Sequence, residues 1–430
     1  MKYFGTDGIR GKPNQDLSLE LVFKIGKALK CLDKKQVVVA TDTRVSKDLL
    51  GYALASGCLA EGLEVLYAGI SSTPALIYYS YRHRVIGVMI TASHNPYTDN
   101  GIKILNAGYK LNESEESKIE ELIDNPLPVI HSFETLQYLN GLDSQYINHL
   151  KPLLSKSNLK IAIDCANGAA FKLAPQIFKE ITNDLVIINN NPNGYNINHD
   201  CGSTHLESLK KAVISKKCDI GFAFDGDADR VMAVDNEGRI LDGDFLIYIL
   251  ACYLKSNGEL NNNQVVMTIM SNLGVINALK KKKIDVIETN VGDKFVSKVL
   301  LANGLALGGE NSGHIIVSKY SHTGDGILVA ALIIKILDND IRKLKKYRKE
   351  IKYYADKMIN IAVENKEKVL NNKNLNLKIA SIKKSLNNDC KVIVRASGTE
   401  KLIRLSIMAK EQKLVDYYIN ELLEEVRKIG

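Results

Sequence analysis

The amino-acid sequence predicts an α/β protein with three similar α/β units and a smaller α+β unit at its C-terminus. The first observation is length, since 430 residues at roughly 150 per domain correspond to about three domains. The second is a pattern of three short apolar runs, separated by helix-length stretches, that occurs three times in succession. The third is a tail that does not repeat this pattern and is rich in asparagine and lysine from about Tyr353 onward.

The repeated runs have the composition of buried strands. The first run of each repeat is β-branched: Val37–Asp42, Ile161–Asp164 and Val265–Thr268. The second runs are Glu64–Tyr67, Leu185–Ile188 and Ile284–Ile287. The third runs lead directly into polar, glycine-containing clusters: Val85–Ile90, Ile220–Phe224 and Leu305–Leu307. Because open α/β sheets bind ligands at the carboxyl ends of their strands, we expect a functional loop after each third strand.

The C-terminal unit is predicted from a different order of elements. Strand-like runs at Val392–Val394 and Ile403–Met408 flank a polar cluster at Ser397–Glu400, and an amphipathic helix follows over about Gln412–Ile429. The predicted domain limits are 1–150, 151–254, 255–352 and 353–430.

Composition excludes several classes of protein. A chain that is 45% hydrophobic and 25% charged, with 8 prolines, is neither disordered nor fibrous. The net charge of +8 fits an anionic substrate. A nucleic-acid binder is not expected, because no aromatic residues are interleaved with the basic ones and the sequence has no recognisable nucleic-acid-binding module. The densest basic run, Lys280–Lys283, is typical of a solvated helix end.

The expected location is the cytoplasm. The longest apolar run, Ile327–Ile334, is far shorter than the ~20 residues that span a bilayer, and no apolar signal segment opens the chain. Seven cysteines, an odd number without any C-x-x-C pair, predict a reduced protein that has no cysteine-based metal site. We therefore expect neither a membrane nor a nucleic-acid partner.

The first polar cluster is Thr91-Ala-Ser-His-Asn-Pro96, with Lys103 ten residues after its serine. Taken alone, such a serine is more often part of a capped turn than a nucleophile. The chain has no G-x-S-x-G motif. If Ser93 is reactive, it must be activated in another way.

The second cluster is Asp225-Gly-Asp-Ala-Asp-Arg230, directly after an apolar strand. Three carboxylates at alternate positions form a hard-oxygen site suited to Mg²⁺, although an acidic surface loop is the alternative interpretation. It is not an EF-hand, because Arg230 and Asn236 stand where that loop needs Gly and Glu. Arg230 is placed to neutralise a transferring phosphate.

The third and fourth clusters are weaker signals. In Gly308-Gly-Glu-Asn-Ser-Gly-His314, the side chains suit sugar hydroxyls. In Arg395-Ala-Ser-Gly-Thr399, with Arg404 beyond, a guanidinium and a glycine turn suit a phosphate, although an ordinary hairpin turn explains the pattern equally well. Neither a P-loop nor G-x-G-x-x-G occurs, which removes the main support for an ATPase or a Rossmann oxidoreductase.

Together with Gly5-Thr-Asp-Gly-Ile-Arg-Gly11, these clusters resemble the α-D-phosphohexomutase superfamily, in the family's order and over the whole chain. Within it, the sequence is most similar to the bacterial phosphoglucosamine mutases. The similarity lies in Phe4–Gly11 and in Val291–Val296, where Asp293 stands at a position that phosphomannomutase/phosphoglucomutase relatives tend to fill with His. The resemblance implies mixed sheets and four domains arranged around a central cleft.

The resemblance also implies an activity: interconversion of glucosamine 6-phosphate and glucosamine 1-phosphate, which feeds amino-sugar nucleotide and cell-wall precursor synthesis. It implies a phosphoserine at Ser93 and a sugar 1,6-bisphosphate as intermediate and activator. One Mg²⁺ would be held by that phosphoserine and by Asp225, Asp227 and Asp229. The same chemistry on mannose or glucose phosphates remains an alternative, and a metal-dependent phosphatase is a more distant one.

The implied roles of the remaining residues follow from the same resemblance. The candidates for proton transfer and charge stabilisation are Arg10, Lys103 and His314, with Arg230 beside the metal. His94 is expected to orient the serine loop and not to act as a base. The sugar hydroxyls are assigned to Glu310 and Ser312. The non-reacting phosphate is assigned to Arg395, Ser397, Gly398, Thr399 and Arg404. The oligomeric state, monomer or homodimer, stays open.

Overall fold

The computed structural model describes residues 2–5, 7–125, 134–396 and 402–429. Its contacts divide the chain into two compact units. The first comprises Met1–Met270 and Ile284–Lys346, and the second comprises Ser271–Lys283 and Tyr347–Gly430. The first unit contains three β-sheets and the second contains one.

The first sheet is mixed, because antiparallel strands extend a parallel centre. Its strands are β1 (Ile9–Gly11), β2 (Gln36–Thr41), β3 (Glu64–Ile70), β4 (Ile86–Ile90), β5 (Asn100–Asn106), β6 (Tyr109–Lys110) and β7 (Leu136–Tyr138). They lie in the order β1-β5-β4-β2-β3-β7, with β6 paired to β5. The helices are α1 (Leu19–Ala28), α2 (Lys47–Ala60), α3 (Thr73–His83), α4 (Glu113–Asp124) and α5 (Leu142–Leu150).

The second sheet has the order β12-β11-β10-β8-β9. Its strands are β8 (Ile161–Asp164), β9 (Leu185–Ile188), β10 (Ile220–Phe224), β11 (Val231–Asp235) and β12 (Ile240–Leu241). Its helices are α6 (Ala170–Ile181), α7 (Glu207–Lys216) and α8 (Gly243–Ser256). Every residue of β8 and β10 is buried, as expected for parallel strands that are covered on both faces.

The third sheet has the order β14-β13-β15-β16. Its strands are β13 (Gln264–Thr268), β14 (Asp285–Thr289), β15 (Leu307–Gly309) and β16 (Ile315–Val317). The helix between its first two strands, α9 (Leu273–Lys281), belongs to the second compact unit. The helices that follow are α10 (Asp293–Asn303), α11 (Gly326–Leu337) and α12 (Arg342–Glu350).

The second unit is built on a fully antiparallel sheet, β17-β19-β18. Its strands are β17 (Ala355–Ala362), β18 (Lys391–Ala396) and β19 (Leu402–Ala409), and its further helices are α13 (Lys366–Leu370), α14 (Lys373–Ser385) and α15 (Gln412–Ile429). Helix α15 buries one apolar stripe at helical spacing, Val415, Ile419, Leu422 and Val426. This unit is the predicted C-terminal α+β unit, and its strands and last helix lie where the sequence pattern places them.

The three α/β repeats share one topology. Each has three parallel strands in the spatial order third, first, second, and the next strand of the chain adds antiparallel beside the third. The equivalent sets are β5-β4-β2-β3, β11-β10-β8-β9 and β16-β15-β13-β14. The predicted repeat and fold class are confirmed, although β15 begins at Leu307, where the predicted run 305–307 ends. The three predicted functional loops therefore occupy equivalent places, between the third strand and the antiparallel strand.

The features with no assigned chemistry have ordinary structural roles. The predicted basic run Lys280–Lys283 is exposed at the end of α9. The longest apolar run lies within α11, whose residues are nearly all buried. Within the described ranges, no helix has both the length and the apolar character needed to cross a membrane.

Candidate active site

The serine loop, residues 91–99, follows β4 and presents Ser93 in an unusual backbone conformation. Ser93 is buried and has φ +52°, in the left-handed region that L-residues rarely adopt. Its N–H donates to Thr91 Oγ1 at 2.9 Å. Its side chain faces the loop after β10, where Ser93 Oγ donates to Asp225 Oδ2 at 2.5 Å.

The aspartate loop, Asp225–Arg230, places three buried carboxylates together. One oxygen each of Asp225, Asp227 and Asp229 lies within 4.8 Å of the others. Between them, Gly226 allows the two loops to touch, because a Cβ there would lie 2.5 Å from the carbonyl oxygen of Ser93.

Two oxygens of this cluster show that it fits a cation. Asp227 Oδ1 and Asp229 Oδ1 are buried and have no hydrogen-bond partner among the described residues. Buried polar atoms are normally paired, and carboxylate oxygens are the ligands that hard divalent cations prefer. The cluster is therefore compatible with metal binding.

The carboxylates of this cluster differ in their electrostatic surroundings. Burial, together with the charges of Asp229 and Asp227, raises the pKa of Asp225 well above its ordinary value. Burial also opposes ionisation of Asp229, but Lys103, His314 and Arg230 outweigh it and lower its pKa to about 2. The charged form is therefore disfavoured at Asp225, the residue that contacts Ser93, and favoured at Asp229.

A buried ammonium group lies against the aspartates. Lys103 Nζ is 2.8 Å from Asp227 Oδ2 and from Asp229 Oδ2, and 3.1 Å from Asp7 Oδ2. Burial alone would lower its pKa, but the three carboxylates raise the pKa well above the ordinary value. Arg10 Nη2 donates to the same Asp7 oxygen at 2.6 Å. Strand β5 thus carries Lys103 to the site, and β1 beside it carries Arg10.

His94 lies beside the serine hydroxyl. Its Nδ1 is 3.5 Å from Ser93 Oγ, at the outer limit of a hydrogen bond. Burial and the charges of Arg230 and Arg10 lower the pKa of His94 to about 4, so the ring is neutral near pH 7. Although the two residues are adjacent in sequence, the ring comes within reach of the Ser93 hydroxyl. The hydroxyl nevertheless donates its proton to Asp225 and not to His94.

Arg230 closes the aspartate loop. Its backbone N–H donates to Asp225 Oδ1 at 3.2 Å. Burial disfavours its charge, but Asp229, Asp225 and Glu310 raise the pKa of the guanidinium above its ordinary value. Its Nε is buried and has no hydrogen-bond partner among the described residues.

The third loop packs against the second domain. Arg230 and His314 form an antiparallel bridge, and Val231 N donates to the carbonyl of Gly313 at 3.0 Å. Glu310 is buried and its Oε1 accepts from Gly292 N at 3.0 Å, whereas Ser312 is half-buried. The glutamate and histidine of this loop thus lie beside the aspartate loop.

The imidazole of His314 has a defined orientation. Gly324 N–H donates to its Nε2 at 3.3 Å, and Asp293 Oδ2 lies 3.5 Å from the same nitrogen. The Nδ1 of the ring is buried and has no hydrogen-bond partner among the described residues. His314 therefore offers an unpaired polar atom.

The predicted phosphate residues are only partly described. Arg395 and Arg404 lie opposite each other on β18 and β19 of the second unit. Ser397, Gly398 and Thr399 fall outside the described residues. Their assignment to phosphate stays a prediction.

Three residues that contact the site were missed by the sequence analysis. Thr73 Oγ1 donates to Asp227 Oδ2 at 2.6 Å, Asn198 Nδ2 donates to the carbonyl of Ser93 at 2.8 Å, and an Arg44 Nη donates to that carbonyl at 3.0 Å. Each follows a first or second strand of its repeat, whereas the serine, aspartate and Gly308–His314 clusters all follow third strands. The rule that parallel strands present ligand-binding loops at their carboxyl ends would have included them.

Comparison with family models matches four consecutive segments of the chain. They match the phosphoglucomutase/phosphomannomutase α/β/α domain I at residues 1–128, domain II at 138–238, domain III at 242–354, and the C-terminal domain at 358–425. The models follow one another in family order and together span nearly the whole chain.

Individual relatives agree with the family models. The chain is 40% identical to phosphoglucosamine mutase of Shouchella clausii, over 99% of both chains, and 42% identical to that of Caldicellulosiruptor bescii, over 95% of both. A family protein from Burkholderia thailandensis has the same fold, with TM-score 0.83, 21% identity and coverage of 98% of this chain and 97% of that one. The N-acetylphosphoglucosamine mutase of Aspergillus fumigatus, solved with GlcNAc-6P and magnesium, gives TM-score 0.70 at 18% identity, over 100% of this chain and 96% of that one.

Proposed function

The chain belongs to the phosphoglucomutase/phosphomannomutase family, and on that premise we propose that it interconverts glucosamine 6-phosphate and glucosamine 1-phosphate. The observation that carries the proposal is the 2.5 Å contact between Ser93 Oγ and Asp225 inside a buried group of three carboxylates. It supports the assignment of Ser93 as the nucleophile and of the three carboxylates as ligands of a cation. The preference for glucosamine is supported by full-length relatives at about 40% identity, which are named phosphoglucosamine mutases.

In the proposed reaction, Ser93 alternates between a phosphoserine and a free hydroxyl. The bond between Ser93 Oγ and phosphorus breaks as a bond forms between that phosphorus and the 1-hydroxyl or 6-hydroxyl of the sugar phosphate. The resulting 1,6-bisphosphate then returns its other phosphate to Ser93. Two opposite transfers leave the enzyme unchanged, so the reaction consumes neither water nor a nucleotide.

Asp225, Asp227 and Asp229 would hold Mg²⁺ together with an oxygen of the Ser93 phosphate. When bound, the ion offsets negative charge on the phosphoryl group during transfer. The protein itself adds two positive charges, Lys103 against Asp227 and Asp229, and Arg230 on the far side of the loop. These groups are held in place before substrate arrives, which is the arrangement that stabilises developing charge most effectively.

The acceptor hydroxyl would be handled by Arg10, Lys103 and His314. Arg10 Nε and His314 Nδ1 support this assignment, because both atoms are buried without a hydrogen-bond partner among the described residues. Glu310 and Ser312 would bind the sugar hydroxyls. Arg395, Ser397, Gly398, Thr399 and Arg404 would bind the phosphate that does not react. The partner is thus a small phosphosugar, and the proposed location is the cytoplasm.

The proposal is tested by assaying the purified protein, primed with a sugar 1,6-bisphosphate and Mg²⁺, on glucosamine, glucose and mannose phosphates. We expect the highest kcat/KM for glucosamine 6-phosphate. A glucosamine phosphate that is the poorest of the three substrates would contradict the proposed specificity and favour a phosphomannomutase/phosphoglucomutase.

Free phosphate, measured in the same reactions, separates transfer from hydrolysis. A mutase releases little inorganic phosphate because the bisphosphate is consumed on the enzyme. Stoichiometric release of phosphate would instead identify a metal-dependent phosphatase.

A further inference from the structure

Arg44 is a fully buried arginine whose guanidinium donates hydrogen bonds to the serine loop. Its side chain is 0% exposed, although it lies in the loop after β2. Beyond Asp42, its acceptors are backbone carbonyl oxygens of the serine loop: Ser93 at 3.0 Å, Asn95 at 2.8 Å, Asp99 at 3.0 Å and Pro96. The planar fork of a guanidinium can serve several acceptors at once, which the single ammonium of a lysine cannot do in the same geometry.

One network holds both backbone polar groups of Ser93. Arg44 Nε donates to Asp42 Oδ2 at 2.9 Å, and Thr91 Oγ1 donates to that same oxygen at 2.7 Å. Thr91 Oγ1 in turn accepts from Ser93 N–H, while Arg44 itself binds the carbonyl of Ser93. Asp42 and Arg44 therefore determine the orientation of the peptide groups on either side of the nucleophile.

The second domain reinforces these contacts. Asn198 Nδ2 donates to the carbonyls of Ser93 at 2.8 Å and Asn95 at 3.0 Å, two of the oxygens that Arg44 also binds. The loop carbonyls are thus bound from the first domain and from the second. The left-handed backbone of Ser93 is an unfavourable conformation that persists where its surroundings over-determine it.

We propose that Arg44 is a positioning residue for phosphoryl transfer, which fixes the backbone of Ser93 so that Oγ stays directed at the aspartate cluster. The inference rests on the proposed function. A buried ion pair such as Asp42–Arg44 costs desolvation and is weak evidence of a purely stabilising role. A displacement of about 1 Å in the nucleophile, by contrast, can cost roughly 100-fold in rate.

The test compares two variants, Arg44→Lys and the charge-neutral double variant Asp42→Asn with Arg44→Met. The double variant leaves no buried charge unpaired, and because the loop carbonyls lose the donors of Arg44, kcat is expressed per folded molecule. We expect kcat to fall about 100-fold in the double variant and about 10-fold in Arg44→Lys, with KM within about threefold of wild type. This split follows because the loop carries the nucleophile and not the assigned sugar contacts.

A second readout is amide hydrogen exchange of residues 91–99. Exchange in this loop should quicken at least about tenfold in both variants, while the strands of the first sheet keep their protection. Asp235→Asn with Arg239→Met is the matched control, because it removes another arginine–aspartate pair, 2.8 Å apart, at the hairpin between β11 and β12. The control variant should retain the kcat of wild type.

The outcomes separate the inference from the proposed function. Suppose that the wild-type protein is an active mutase, and that the folded double variant keeps both its kcat and the slow amide exchange of residues 91–99. The inference is then wrong and the proposed function stands. If wild type has no mutase activity, the proposed function is wrong, and unchanged exchange in residues 91–99 would overturn the positioning role as well. Loss of thermal stability alone, with kcat per folded molecule unchanged, would mean that Arg44 is only structural.

Discussion

The serine loop and the aspartate loop occupy the same topological place in successive repeats but are completed in opposite ways. In the serine loop, the protein itself satisfies the backbone polar groups of Ser93, through Thr91, Arg44 and Asn198. In the aspartate loop, Asp227 Oδ1 and Asp229 Oδ1 are buried without a hydrogen-bond partner among the described residues. The chain itself pairs the backbone of the first loop, whereas the second loop keeps buried carboxylate oxygens of the kind that bind a cation.

The comparison shows that the shared topology determines where the two loops lie, whereas their side chains determine what each loop can bind. Both loops connect a third parallel strand to an antiparallel strand, so the topology alone brings them near each other. In the serine loop, side-chain donors bind the backbone carbonyls, whereas in the aspartate loop like charges are crowded together. Substitutions in each loop and removal of metal distinguish the effect of the paired carbonyls from that of the crowded charges.

The largest effect is expected from Ser93→Ala, which removes the nucleophile and leaves the loop contacts of its backbone. Turnover should fall at least about 10⁴-fold, since a covalent route cannot proceed without the hydroxyl. Steady-state assays check this, with Ser80→Ala as the matched control, because Ser80 is a buried serine whose Oγ binds the backbone of Val85 and Gly108. A fully active Ser93→Ala enzyme would contradict the mechanism.

Removal of metal should act on the aspartate loop alone. Chelation is expected to lower kcat by roughly 10²- to 10³-fold, and added Mg²⁺ should restore it, because the ion supplies much of the charge stabilisation at the phosphoryl group. Mg²⁺ should also raise Tm in wild type and raise it less in Asp227→Asn. Activity and Tm that do not respond to chelator would show that the cluster is not a cation site.

Asp325, a buried carboxylate outside the aspartate loop, sharpens the comparison because burial favours its protonated form. It is buried at the N-terminus of α11, where Tyr146 Oη donates to it at 2.7 Å, and burial raises its pKa from 3.8 to about 6. Between about pH 4 and pH 6 the unfolded chain loses this proton while the folded protein keeps it. The free energy of unfolding should therefore fall as pH rises through that window, by roughly 2–3 kcal/mol.

Asp325→Asn should remove that fall, because the amide keeps the shape and cannot ionise. Urea denaturation of both proteins at several pH values measures it, as the difference between the two curves. Parallel curves between about pH 4 and pH 6 would contradict a raised pKa at this position.

The smallest expected effect is an increase in stability. In metal-free protein, Asp225→Asn should raise the free energy of unfolding by about 1 kcal/mol, because it removes one of three crowded like charges. The amide oxygen can still accept from the backbone N–H of Arg230, and the amide NH₂ can donate to Ser93 Oγ. Denaturation with chelator present measures this, and the order should reverse in saturating Mg²⁺. A variant that is less stable than wild type in both conditions would show that repulsion in this loop is unimportant.

The fold was predictable because burial imposes a pattern on the sequence. The runs at Ile161–Asp164 and Ile220–Phe224 coincide with β8 and β10, since strands buried on both faces are continuously apolar. The positions of the three candidate loops were predicted from the polar clusters that come directly after such runs. The grouping of α9 with the second unit did not follow, because it depends on contacts between residues far apart in the chain.

Within the candidate site, the sequence indicated candidates for the chemistry but not the residues that contact them and their backbone. Arg44 and Thr73 look like ordinary loop residues, and their importance lies in donors that reach loops 49 and 154 positions away. The left-handed φ of Ser93 also has no signature in sequence, because serine rarely adopts it. Positioning residues are therefore the part of a site that only the folded structure reveals.

Phosphopeptide mapping of the purified protein tests the central claim most directly, combined with transfer of that phosphate to added glucosamine phosphate. We expect one phosphate on the peptide that contains Ser93, its loss when sugar phosphate is added, and its recovery as glucosamine 1,6-bisphosphate. Phosphate on another residue, or a Ser93 phosphate that sugar phosphates fail to remove, would contradict the account.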